Sequence, residues 1–117
     1  QEVKQVDGIL AGDRIVDIGP ATRKAFAQAL TGAKTILWNG PLGYCEVAEF
    51  CAGTRDVAGA IAKQTGRATT IVGGGDTLPV IESLKLADKF TLLSTGGAAL
   101  LQFLAGQELP GVEAVRV

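Results

Sequence analysis

Short apolar segments alternate with amphipathic ones along this chain. Residues 14–18, 35–38, 68–72 and 90–93 are short and rich in β-branched or large apolar side chains, which favours β-strands. Apolar residues at helical spacing predict helices at residues 21–30, 54–64, 77–84 and 98–104, with a short one at 47–51. Residues 1–13 and 107–117 lack either pattern and predict an irregular lead-in and an irregular tail.

This β-α alternation predicts an α/β fold. Strands that are apolar throughout and joined by helices favour a parallel sheet with helices on both faces, a Rossmann-like three-layer arrangement. About four strands are expected within the 117 residues, a length that suits one domain.

Three of the predicted strands end in glycine-rich turns. The segment N-G-P-L-G follows Trp38, G-G-G-D-T follows Val72, and S-T-G-G follows Leu93. Because the carboxyl ends of parallel strands meet at one edge of a sheet, and ligands bind there, these turns should form one site. Trp38 itself is interpreted as a core residue rather than a platform for a base.

The glycine turns suit an anion. Gly73, Gly74 and Gly75 carry no Cβ, and with Gly96 and Gly97 they precede predicted helix starts that offer backbone N–H groups to phosphate. The alternative is a pair of tight turns without a ligand.

Four side chains near these turns have two interpretations each. Asp76 could bind Mg²⁺ or cap the helix that follows, and Thr77 could donate to a phosphate or simply begin that helix. Asn39 could donate its amide to phosphate or hold its own turn. Glu46 could accept two ribose hydroxyls or be a first-turn glutamate that the helix dipole favours.

Composition excludes several function classes. A net charge of −1 gives no electrostatic case for nucleic acid or an anionic membrane, and no apolar run reaches membrane-spanning length. Without histidine, serine-triad chemistry within this chain is not expected. Cys45 and Cys51 match no metal motif, and we interpret them as reduced thiols of a cytosolic protein rather than a disulfide.

Five motifs in order resemble the C-terminal, nucleotide-binding part of phosphoglycerate kinase: D-I-G-P (17–20), W-N-G-P-L-G (38–43) with Glu46, G-G-G-D-T (73–77), S-T-G-G (94–97) and L-P-G-V (109–112). The resemblance implies ATP or ADP with Mg²⁺ as ligands. It assigns the phosphates and the metal to a set of residues: Asn39, Gly40, Pro41, Gly73, Gly74, Gly75, Thr77 and, for the metal, Asp76. It further assigns the ribose to Glu46 and the transferred phosphoryl group to Gly96 and Gly97.

The resemblance covers only part of such an enzyme, and Ala98 stands where the family usually has a third glycine. The domain that binds 3-phosphoglycerate is absent, so the chain is expected to be a partial domain that is inactive alone. Two alternatives stay open: a nucleotide-binding module without kinase activity, and an interaction module. The latter would pair an exposed sheet edge with a complementary chain or a second copy.

Overall fold

The computed structural model describes residues 2–116 and follows the predicted alternation of strands and helices. In chain order the elements are α1 (Pro20–Leu30), β1 (Thr35–Asn39), α2 (Ala52–Ala62), β2 (Thr69–Gly73), α3 (Leu78–Ser83), β3 (Leu92–Ser94), α4 (Ala98–Leu104) and α5 (Pro110–Glu113). Short 3-10 helices form at Val6–Gly8, Ala48–Phe50 and Ala87–Lys89. Residues 1 and 117, the outer ends of the predicted lead-in and tail, lie outside the described residues. Within residues 2–116, none of the helices is both long and apolar enough to cross a membrane.

The three strands form one parallel sheet in the order β1-β2-β3, which confirms the predicted parallel α/β fold. Asn39, the last residue of β1, pairs with Gly73 of β2, and Gly73 in turn pairs with Ser94 of β3. All three strands therefore end at one edge, and the glycine-rich turns leave the sheet side by side.

The hydrophobic core lies on one face of this sheet. Along β1 the burial alternates, so Ile36 and Trp38 face inward while their neighbours are exposed. The buried cluster joins β1 and β2 to α2 and α3, and it consists of Ile36, Trp38, Val57, Ala58, Ile61, Ala68, Val72, Ile81 and Phe90. Trp38 is a core residue as predicted, and its indole N–H donates to the carbonyl of Gly40 at 2.7 Å.

Within residues 2–116, the opposite face of the sheet is covered mainly at its carboxyl end. There, Leu100 of α4 comes so close to Gly73 that a Cβ on Gly73 would lie 2.7 Å from its Cδ2. Elsewhere on that face Leu37 is 44% exposed and Leu92 is 50% exposed. Helices thus approach both faces, but a packed core forms on one face alone.

Two predicted segments differ from the structure. Residues 14–18 form no strand, so the sheet has three strands instead of about four. This segment packs as a loop against the start of α2, where the Asp17 carboxylate accepts N–H groups from Ile18 and Gly53, each at 2.8 Å. The predicted irregular tail contains the short helix α5.

Cys45 and Cys51 are joined by a disulfide, so the prediction of reduced thiols was wrong. The cause is the 3-10 turn Ala48–Phe50, which folds the chain back between the two cysteines. Their Cα atoms consequently lie 4.5 Å apart, within the range that a disulfide bridges.

The lead-in is irregular apart from its 3-10 turn, and Asp13 closes it into a loop. The Asp13 carboxylate accepts the backbone N–H of Leu10 and the ammonium group of Lys4, each at 2.8 Å. These two donors, Leu10 first, stabilise the ionised carboxylate and lower the pKa of Asp13.

Candidate functional site

The turns after β1 and β2 are in direct contact. The Asn39 side chain lies over the glycines that follow β2, since a Cβ on Gly73 would be 3.2 Å from its Nδ2. A Cβ on Gly74 would likewise be 3.1 Å from Asn39 Oδ1. Ser94, at the end of β3, lies next to Gly73 in the sheet. The expectation that the three turns share one edge is therefore confirmed.

Two glycines of this site have different environments. A Cβ on Gly73 would lie 2.7 Å from the Leu100 Cδ2 and 3.2 Å from the Asn39 Nδ2, so a side chain there would displace these two side chains. Gly74 has φ +100°, a conformation that residues with a Cβ rarely adopt. The bare backbone is thus part of how these turns pack together.

Thr77 ties the first two turns to each other. Its side chain is fully buried, and its Oγ1 accepts the backbone N–H of Gly40 at 3.0 Å. The backbone N–H of Thr77 donates to the carbonyl of Gly74 at 3.1 Å. This hydroxyl therefore positions the turns, and its direct contact with a phosphate stays a prediction.

Two pairs of backbone N–H groups at this edge are available to an anion. Among residues 2–116, the N–H groups of Gly75 and Asp76 have no hydrogen-bond partner, and neither do those of Gly97 and Ala98. Each pair sits at a glycine turn, the second at the first residues of α4. Consecutive free N–H groups of this kind form anion-binding concavities.

Asp76 is exposed beside these N–H groups. Within residues 2–116 its carboxylate makes no hydrogen bond or ion pair. The helix α3 begins at Leu78, with Thr77 as its N-cap residue and no side-chain capping bond. The alternative in which Asp76 caps this helix is therefore wrong, and its oxygens are open to a ligand.

Glu46 lies apart from this cluster. It is exposed in the loop between β1 and α2, and no hydrogen bond or ion pair joins it to the turns within residues 2–116. Pro41 follows Gly40 in the first turn and is half-buried. The structure thus brings together Asn39, Gly40, Gly73, Gly74 and Thr77, with Gly96 and Gly97 on the adjacent turn.

Sequence reasoning missed Thr54, a residue that supports the loop after β1. Thr54 is fully buried in α2, and its Oγ1 accepts the N–H of Leu42 at 2.9 Å. The same oxygen lies 3.2 Å from the Sγ of Cys45. In the sequence, Thr54 is a threonine at the predicted start of a helix. A threonine there can equally well be exposed to solvent, so its position did not indicate a supporting role.

Another groove lies away from these turns. It has a volume of about 770 Å³ and separates α1 from α2, with Arg23, Lys24, Arg55 and Lys63 among its lining residues. One of these cations is already paired, since Arg23 lies 3.0 Å from the carboxylate of Asp56. The volume of this groove does not outweigh the free N–H groups that converge at the glycine turns. Those turns therefore remain the candidate site.

Comparison with known proteins identifies the family. A family model described as phosphoglycerate kinase matches residues 1–107. The phosphoglycerate kinase of Herpetosiphon aurantiacus is 47% identical over 114 residues, which are 97% of this chain and 28% of that protein. That of Thermosipho africanus is 49% identical over 110 residues, 93% of this chain and 27% of that protein.

A solved structure agrees with these sequences. The phosphoglycerate kinase from Coxiella burnetii superposes with a TM-score of 0.85 at 43% identity, over 96% of this chain and 28% of that one. The chain therefore spans between a quarter and a third of the length of the relatives that it matches. On the strength of the family model and the shared fold, this chain belongs to the phosphoglycerate kinase family.

Proposed function

We propose that this chain is the nucleotide-binding, C-terminal part of a phosphoglycerate kinase. The enzyme as a whole would transfer a phosphoryl group reversibly between 1,3-bisphosphoglycerate and ADP, giving 3-phosphoglycerate and ATP. The observation that carries the proposal is the convergence of three glycine-rich turns at one sheet edge, with Asn39 packed over Gly73 and Gly74. Since the chain spans 28% of a typical relative, the complete reaction also needs residues outside it.

The phosphates of ADP or ATP would lie along the first two turns. The Asn39 amide would donate to a phosphate oxygen, with Gly40 and Pro41 setting the shape of that turn. The second turn would approach the phosphates closely, and its N–H groups at Gly75 and Asp76 are free to donate. Glu46 would accept the ribose hydroxyls, which requires the loop between β1 and α2 to present it to the cleft.

Mg²⁺ would be held by the Asp76 carboxylate together with phosphate oxygens and water. Magnesium usually keeps several waters and takes one or two carboxylates plus substrate phosphates, so it needs no cage of protein ligands. The residues fit this mode, because Asp76 is exposed and unpaired within residues 2–116, and those residues hold no cluster of three metal-ligating side chains. When bound, the ion would neutralise charge that develops on the phosphoryl oxygens.

Gly96 and Gly97 would serve the phosphoryl group in transfer. The N–H of Gly97 and that of Ala98 are free, while the N–H of Gly96 donates weakly to Ser94 Oγ at 3.3 Å. Fixed N–H groups aimed at developing charge stabilise a transition state without reorganising. Ala98 supplies an N–H as a glycine would, and its exposed methyl group leaves the backbone open.

The substrate 3-phosphoglycerate would be bound by residues of the enzyme outside this chain. A phosphate and a carboxylate on one small molecule need a cluster of cations, and none of the ion pairs or side-chain hydrogen bonds within residues 2–116 places a lysine or arginine at the three turns. The pathway proposed for the whole enzyme is glycolysis, and its compartment is the cytoplasm.

A second candidate function is self-association through β1. Its outer edge, residues 35–39, has no partner strand within residues 2–116, and an apolar groove of about 240 Å³ lies beside it, lined by Phe26 and Leu37 among others. Unpaired edges pair readily with an identical edge across a two-fold axis. A dimer in solution whose mass does not respond to Mg-ADP would favour this function over nucleotide binding.

Asp76→Asn tests the metal assignment. The amide removes the charge that Mg²⁺ requires, so the affinity for Mg-ADP should fall by about tenfold or more, while that for metal-free ADP should hold or improve slightly. The melting temperature should stay unchanged, since Asp76 makes no stabilising contact within residues 2–116. Calorimetric titration with both ligands gives the comparison.

The matched control for this change is Glu82→Gln, which neutralises another exposed carboxylate, on α3. It should leave both affinities as they are. An equal loss for Mg-ADP and ADP in Asp76→Asn, or the same loss in Glu82→Gln, would show that Asp76 does not hold the metal.

A further inference from the structure

The Cys45–Cys51 disulfide closes a short loop between β1 and α2. The two cysteines are six positions apart, and Glu46 lies between them. Cys51 is also the N-cap residue of α2, so one end of the loop is fixed to a helix of 11 residues. The bond therefore sets where the chain can place Glu46.

The other end of the loop is held by the N–H of Tyr44, which donates to the carbonyl of Val16 at 2.8 Å, and by the hydroxyl of Thr54. Thr54 Oγ1 accepts the N–H of Leu42 at 2.9 Å and lies 3.2 Å from Cys45 Sγ. Leu42 is two residues after Gly40, whose N–H donates to Thr77. A chain of contacts thus leads from the disulfide through Thr54 to the turn that carries Asn39.

We propose that Cys45 and Cys51 are a reversible thiol–disulfide modification site that controls the loop at residues 42–51. Its effect on nucleotide affinity rests on the function proposed above. A cytoplasmic compartment keeps most thiols reduced, and the disulfides that do form there are typically transient and redox-sensing. A disulfide beside a nucleotide site in such an enzyme is therefore expected to open and close with the redox state.

The reagent class is a small thiol and its disulfide, as in the glutathione couple. In reduction, an external thiolate attacks the Cys45 sulfur, the bond between the two cysteines breaks, and Cys51 leaves as a thiolate that takes up a proton. A second external thiolate attacks the outer sulfur of the mixed disulfide and releases Cys45. Two protein thiols and one external disulfide result, and oxidation is the reverse.

Exposure decides which sulfur is attacked. Cys51 is buried at 3% exposure, whereas Cys45 is only half-buried. Thiol–disulfide exchange depends on access to the sulfur, so the mixed disulfide should form on Cys45.

The oxidised state should bind Mg-ADP more tightly. A closed loop loses less conformational freedom when Glu46 is fixed against a ribose, and this preorganisation should improve the affinity by about three- to tenfold over the reduced state. Residues of α1 lie outside the loop and should not respond to the redox state.

The experiment equilibrates the chain in buffers of reduced and oxidised glutathione. Alkylation and mass spectrometry then count the free thiols, and NMR records the backbone amide shifts in each state. Interconversion between two and no alkylated thiols, with shift changes across residues 42–54, is expected. Thiols that stay in one state across all buffers, or shift changes confined to Cys45 and Cys51, would overturn the inference.

Cys45→Ser separates the redox site from the nucleotide site. This variant cannot close the loop, so its affinity for Mg-ADP should equal that of the reduced chain and should not depend on the glutathione buffer. Equal affinities of the oxidised and reduced chain would refute redox control while leaving the nucleotide proposal intact. If neither state binds Mg-ADP yet residues 42–54 still respond to glutathione, the nucleotide proposal fails and the modification site stands.

Discussion

A coupled assay on the purified 117-residue chain should detect no phosphoryl transfer. Transfer in this class of reaction depends on positioning both substrates in line and on stabilising charge in a site that excludes water. The three turns are open to solvent, since Asn39 in the first, Gly75 and Asp76 in the second and Gly96 in the third are all exposed. One open sheet edge would supply the proposed nucleotide contacts but neither closure nor the second substrate.

The distribution of cations supports this expectation. The chain has 11 lysines and arginines, which are Lys4, Arg14, Arg23, Lys24, Lys34, Arg55, Lys63, Arg67, Lys85, Lys89 and Arg116. Those that form ion pairs or side-chain hydrogen bonds within residues 2–116 form them away from the three turns. Within residues 2–116, these contacts place no cluster of cations beside Gly96 and Gly97, where a phosphoglycerate would need one.

Activity should return when the remainder of the enzyme is supplied as a second chain, with a full-length family member as the positive control. Turnover by the 117-residue chain alone, at even a few per cent of a typical kinase rate of about 1–100 per second, would contradict this expectation. It would mean that the catalytic groups lie within these residues.

Ile61→Ala should have the largest effect on stability. Ile61 is 1% exposed and belongs to the cluster that joins α2 to the sheet, so truncation leaves a cavity under Trp38 and Val72. Buried isoleucine-to-alanine changes cost about 2–5 kcal/mol, a large share of the roughly 5–15 kcal/mol that holds a domain folded. Urea denaturation should show the midpoint shifting strongly to lower concentration.

Ile15→Ala is the matched control, because Ile15 is 73% exposed in the loop that precedes α1. The same chemical change there should alter the free energy of unfolding by less than about 0.5 kcal/mol. Comparable losses in both variants would show that the cluster around Ile61 is not the core.

The sequence predicted the elements whose signals are local. Three such signals each act within a few residues: proline at the first position of α1, apolar runs in all three strands, and glycines at the strand ends. Because the carboxyl ends of parallel strands meet at one edge of a sheet, the three turns could be placed together without knowledge of any contact between them. This part of the site followed from the period of the apolar pattern and from the geometry of parallel sheets.

Other features depended on contacts between distant residues. Residues 14–18 have the apolar pattern of a strand. In the structure the Asp17 carboxylate accepts the N–H of Gly53, and none of the strands within residues 2–116 pairs with this segment. The disulfide depends on a 3-10 turn that has no strong signal. The sequence allows Asp76 as a helix cap, but α3 begins at Leu78 and Thr77 is its N-cap residue. In each case tertiary packing decided between two locally acceptable structures.

An NMR titration of the chain with Mg-ADP tests the proposed site most directly. Amide shifts should cluster at three places: the turn at Asn39, the loop at Glu46 and the segment from Gly73 to Thr77. The competing location is the groove between α1 and α2, which has a volume of about 770 Å³ and carries several cations. Shifts along residues 21–30 that spare the glycine turns would contradict the proposed site, because the nucleotide would then bind in the groove instead.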